Sequence, residues 1–135
     1  MVANLQTTIP SQDILYAVEQ IMTGTITFND TAAKIIGGLP VNAIVRGVCV
    51  CTQTAFNAAT TNNINIGQTD ATGTVANAYV ALQPIGPVGT VQPTMATTTN
   101  VQLSRPTSIT ATYVPTGGGQ TAGAAVVIVR FVVPR

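Results

Sequence analysis

The groups able to do chemistry in this 135-residue chain are few. They are the carboxylates Asp13, Glu19, Asp30 and Asp70, the cations Lys34, Arg46, Arg105, Arg130 and Arg135, the thiols Cys49 and Cys51, and three tyrosines, with no histidine. Without imidazole, triads and dyads that use it as the base are absent, which removes most hydrolase mechanisms. Two carboxylates can cleave a glycoside, but nothing in the spacing of these four brings any pair together. Turn and cap service is their simpler role: Asp30 after a strand, Asp70 in a turn, and Asp13 and Glu19 early in a short helix. Cys49 and Cys51 lie two apart in a β-branched run, so both thiols stand on one side of a strand, about 6.5 Å apart and parallel. That geometry disfavours a disulfide. Structural zinc wants four ligands, so two small buried thiols are expected and no metal, although two subunits together could supply four thiolates.

Other constellations are equally spare. Gly117, Gly118 and Gly119 precede a strand and lack the lysine of a phosphate-binding loop, so they read as a flexible hairpin connection. Tyr16, Tyr79 and Tyr113 each sit in an apolar pattern, which suits the edge of a core better than an exposed sugar platform. Arg105, Arg130 and Arg135 are candidate interface residues, since arginine pairs well in partly buried contacts. No cofactor-binding pattern is present, and none is expected.

Composition sets the frame around these groups. Charged residues make up 7% of the chain, against about 25% in an ordinary soluble domain. Threonine occurs 23 times and the net charge is +1. There is no basic stripe for phosphates, so direct nucleic-acid binding is not expected. A near-neutral surface offers little repulsion between copies, which favours association. The long uncharged runs are broken by polar residues such as Asn62, Asn63 and Asn65, so no membrane span is expected. Residues 1–10 show no basic start and no apolar centre, hence no signal peptide is read and synthesis in a cytoplasm is expected.

The elements that must position these residues are mostly strands. Residues 1–22 read as an N-terminal arm in which Ile14, Leu15, Val18, Ile21 and Met22 recur at helical spacing after a possible Ser11 cap. Residues 23–135 read as one β-domain. Threonines alternate with Gly24, Ile26 and Phe28 in a half-buried strand. A short strand over 32–36 leads to a turn at Gly37, Gly38 and Pro40, and 41–54 is expected to be the longest strand. In it both faces look buried, with Arg46 the one charge to accommodate. A turn at 60–63 precedes a short strand through Ile64 and Ile66 that Gly67 closes. The alanine-rich stretch 74–82 fits either a strand or a helix. Prolines and glycines make 84–93 irregular. Strands at 97–103, 108–114 and 124–133 complete an antiparallel β-sandwich of jelly-roll type, all-β apart from the arm.

Several segments in order resemble a known family: Gly24 to Asp30, Leu39-Pro40 before the long strand, Thr54 to Asn57, Asn63 to Gly67, Ser108 to Tyr113, and Thr121 to Val129. They resemble the small head decoration, or cement, proteins of tailed bacteriophages. The resemblance implies a β-sandwich that binds the outside of a phage head and bridges neighbouring major capsid protein subunits, with no catalytic residues. It further implies a homo-oligomer, dimer or trimer, located on the virion surface. Ile14, Leu15 and Tyr16 of the arm, with Arg46 and Arg105, are the expected capsid or subunit contacts. A receptor- or glycan-binding module of a tail fibre or spike is the alternative, and a small carboxylate hydrolase is a third class.

Overall fold

The computed structural model describes residues 18–96 and 101–134, and over them the chain is all-β. Eight strands follow in order: β1 Gln20–Thr27, β2 Lys34–Leu39, β3 Ile44–Thr54, β4 Thr61–Asp70, β5 Gly73–Pro84, β6 Gly89–Val91, β7 Thr107–Thr116 and β8 Ala124–Val132. They form two four-stranded sheets, ordered β1-β8-β3-β6 and β2-β7-β4-β5, in which neighbouring strands are antiparallel. Successive strands alternate between the sheets except β4 and β5, which pair within one, the strand order of a jelly roll.

Period-two alternation decides which side chains meet between the sheets. Ile26, Val48, Val50, Ala125, Val127 and Val129 point inward from one sheet, and Ile64, Ile66, Ile109, Ala111 and Tyr113 from the other. Tyr113 is fully enclosed and its ring lies 4.7 Å from that of Phe56, centroid to centroid. Tyr79 is also core rather than core edge. Where the first strand meets the second sheet the packing is close: a Cβ on Gly24 would collide with Ile36, and one on Gly37 with Met22.

Several sequence expectations change at this level. Ile21 and Met22 belong to β1, because pairing with Arg130 and Val129 on β8 outweighs the local helical spacing. Gly37 and Gly38 continue β2 after a bulge instead of turning the chain. Gly67 does not close β4, which runs on to Asp70, and Thr61 to Asn63 open it. The stretch 74–82 is strand, and β5, with 12 residues, is longer than β3, with 11. A short strand, Gly89–Val91, lies within the stretch read as irregular. The strand expected at 97–103 is reduced, among its described residues, to a bridge between Gln102 and Ile44. The irregularities of β5 matter later: opposite Ile66 and Gln68 stand Val80 and Val75, so three extra residues bulge across the sheet.

Candidate assembly interface

The strongest candidate for function is a surface. On the outer side of the β1-β8-β3-β6 sheet the register lays down three rows, Ile21–Arg130–Gly47, Thr23–Ile128–Cys49 and Thr25–Val126–Cys51–Thr90. Val126, Ile128, Cys49 and Cys51 are half-buried, and Thr23 and Thr25 are exposed, among the described residues. Ile21 is 65% exposed and Val18, just before it, 53%. The only formal charge in these rows is Arg130, at one end. Its guanidinium lies over Gly47, in the space a Cβ would need, and reaches Glu19 at 3.8 Å. Burying such a face against a partner releases water from apolar surface without stranding a charge.

The outer side of the β2-β7-β4-β5 sheet is built differently. Thr69 and Thr74 hydroxyls pair at 2.7 Å, and the Leu82 N–H donates to Asn65 Oδ1 at 2.7 Å. Leu82 has φ 51°, so the amide contact holds a bulge residue in the left-handed region. The backbone of Val75 and Ala76 closes over Gly67. Thr110 and Thr112 are buried on this side, and their Oγ1 atoms have no hydrogen-bond partner among the described residues.

Asp30 and Asp70 take the local roles read from the sequence, whereas Glu19, expected in a helix, lies just before β1 and pairs with Arg130. Asp30 Oδ2 accepts from the Thr27 N–H at 2.7 Å, from its hydroxyl at 3.2 Å and from Lys34 Nζ at 3.4 Å, while Lys34 also donates to the Thr25 carbonyl at 2.8 Å. That last bond caps a carbonyl of β1, an edge strand of its sheet. Asp70 accepts from the hydroxyl and N–H of Thr72, which, with Arg105 nearby, hold its carboxyl below the usual range. The Asp30 carbonyl accepts from the Tyr113 N–H, whereas Asp70 adjoins Thr69, the partner of Ser108. Those anchors are separated along β7 by roughly 15–20 Å, beyond the approximately 5–9.5 Å of a glycosidase pair. Arg105 and Asp70 share an open pocket of about 180 Å³ with Gln68, Tyr79, Gln102 and Thr107. Pockets for small ligands usually run from about 300 Å³ upward.

Of the expected contact residues, Arg46 and Arg105 lie among the described ones. Ile14, Leu15 and Tyr16, with Asp13 and Arg135, lie outside the described residues. Arg46 is not the buried charge expected of β3: it is the extra residue of a bulge between Val45 and Gly47, and the bulge turns it out to solvent. Cys49 and Cys51 are free, as expected, but half-exposed on the outer face rather than buried. Ile21, Val126 and Ile128 of the outer face are not among the residues singled out as contacts from the sequence, although their signal, alternate uncharged positions, is there.

No family model and no curated protein matches the chain. The fold matches chains from three bacteriophage capsids. The capsid asymmetric unit of cyanophage Pam1 contains a chain matching with TM-score 0.64 and 21% identity over 87% of this chain and 86% of that one. The acid-stable capsid of Helicobacter pylori bacteriophage KHP30 matches with TM-score 0.65 and 14% identity, over 89% and 91%. The capsid of Ralstonia phage GP4 matches with TM-score 0.53 and 15% identity, over 86% of each chain. The shares covered on both sides are nearly equal, so the matched chains are close to this one in length. At these identities the likeness concerns the fold.

Proposed function

We propose that this protein is a structural component of a bacteriophage virion, a decoration or cement protein that binds the outer surface of the head and bridges major capsid protein subunits as a homo-oligomer. The observation that carries this reading is the near full-length jelly-roll match to similarly sized chains in three phage capsids. The ordered resemblance to head decoration proteins and the weakly charged apolar face support it. Each copy contributes modest binding, and many copies that prefer the assembled shell stabilise it by linkage and avidity. The reading requires no catalysis and no cofactor. Synthesis in the host cytoplasm and residence on the virion surface complete it.

In this reading the N-terminal segment serves as an arm ordered by a neighbouring subunit, and the exposed Arg46 and Arg105 contribute shell contacts. Quantitative mass spectrometry of purified particles tests the assignment. Hundreds of copies per head are expected, while a handful would instead indicate a fibre or spike module. Removing residues 1–10 should lower occupancy on the head and leave the sandwich folded. Unchanged occupancy would overturn the arm.

A further inference from the structure

We infer that the outer face of the β1-β8-β3-β6 sheet is where copies of this chain join one another, with Cys49 and Cys51 enclosed at the contact. The inference rests on the reading above for the presence of many copies in one particle, and on geometry for the choice of face.

Three observations select a second copy as the occupant. The first is charge. From the Thr23–Ile128–Cys49 row to the Thr25–Val126–Cys51–Thr90 row the face has no ionisable group but two thiols. When a surface meets a copy of itself every charge meets charges of the same patch, so a face lacking them is suited to self-contact. Two charges stand at the rim: Arg130, already engaged by Glu19, and Arg46, which projects from the bulge beside it.

The second is area. Three strands of about eight residues and a fourth of 3, about 4.8 Å apart with about 3.4 Å per residue, project roughly 440 Å². Two such faces therefore cover about 900 Å² in projection, and side-chain relief adds to it, close to the roughly 1,000 Å² that a specific interface should clear. Val18 extends the strip beyond the start of β1.

The third is the contrast with the opposite face. There the hydroxyls of Thr69 and Thr74 and the Asn65 amide oxygen already have partners within the chain. The exposed apolar residues of that sheet, Ile35, Val75 and Leu82, stand on its two edge strands, while its central strands present Ser108, Thr110, Asn63 and Asn65 in place of a continuous apolar strip.

The test uses the purified full-length chain, away from any shell, by sedimentation velocity and iodoacetamide labelling of the thiols. Wild type should associate, and labelling of Cys49 and Cys51 should slow about tenfold or more as protein concentration rises and the face closes. Thr23→Lys and Thr25→Lys, both at exposed positions, should weaken association at least tenfold by placing like charges opposite one another. Thr74→Lys on the other face should leave association intact. Labelling of the wild type needs no variant, so a substitution that fails to fold does not void the test. A wild type still monomeric near 100 μM would overturn the inference. So would thiol labelling independent of concentration, or association lost to Thr74→Lys as readily as to Thr23→Lys. Thiols protected in a monomer would show that residues 1–17 of the same chain cover the face, and would equally overturn it. A low copy number on particles, by contrast, defeats the cement reading and leaves the self-contact standing.

Discussion

The two outer faces of the sandwich are made from strands of similar composition, yet they end in different chemical states. One presents Val126, Ile128 and two thiols between rows of threonine, with Arg130 and the bulge residue Arg46 at one end. The other presents threonine, serine and asparagine, several of them bonded within the chain, beneath a bulged β5. Alternation alone makes a face that is neither core nor fully wetted. What separates the two is what the central strands turn outward: valine, isoleucine and thiols on one, serine, threonine and asparagine on the other, whose exposed apolar residues Ile35, Val75 and Leu82 stand on edge strands.

The sharpest break in the comparison is a glycine on each face. A Cβ on Gly67 would run into the backbone of Val75 and Ala76, whereas one on Gly47 would meet the guanidinium of Arg130. Backbone cannot step aside, but a long side chain can. Gly67→Val is expected to cost roughly 3 kcal/mol or more, and Gly47→Ala less than about 1 kcal/mol, by urea denaturation. Comparable costs would show that the bulge over Gly67 yields.

Next in size is Asn65→Ala, which leaves the Leu82 N–H without its acceptor at a left-handed residue and should cost about 1–2 kcal/mol in the same measurement. Smaller still is a pair of threonines. Thr52 Oγ1 donates to the Ile85 carbonyl at 2.9 Å in the core, so Thr52→Val should lose about 1 kcal/mol. Thr110 Oγ1 has no partner among the described residues, so Thr110→Val should be neutral or stabilising by up to about 1 kcal/mol. If both lose stability equally, the satisfied-versus-unsatisfied distinction fails.

The finest separation is by pH. Burial pushes the Tyr79 phenol up to about 12 and raises that of Tyr113. Both lie in the β2-β7-β4-β5 sheet, and the other sheet has no tyrosine. Unfolded tyrosine loses its proton near pH 10. Between there and about 12 the native state binds more protons, so stability is full below pH 10 and falls as pH rises. Tyr79→Phe should flatten that decline, as followed by denaturation at pH 8–11. An unchanged slope would remove Tyr79 as its source.

Much of the fold was legible because threonine alternating with apolar residues, as in Thr23 to Phe28 and Ser108 to Val114, has only one amphipathic solution. The errors cluster where local pattern competes with pairing. Ile21 and Met22 carry helical spacing but join β8, and Gly67 looks like a stop but is the thin point over which β5 crosses. Arg46 could be recognised as the one charge in a long apolar strand. Its escape through a bulge depends on the register with β8, which no local signal encodes.

By itself, then, the sequence determined the all-β class, the absence of imidazole chemistry and the small local duties of Asp30 and Asp70, because each depends on residue type and near neighbours. Only the tertiary structure decided which alternate set of side chains became core and which became the outer face carrying Cys49, Cys51, Val126 and Ile128. The physical reason is that a strand has two sides of equal standing until a second sheet packs against one of them.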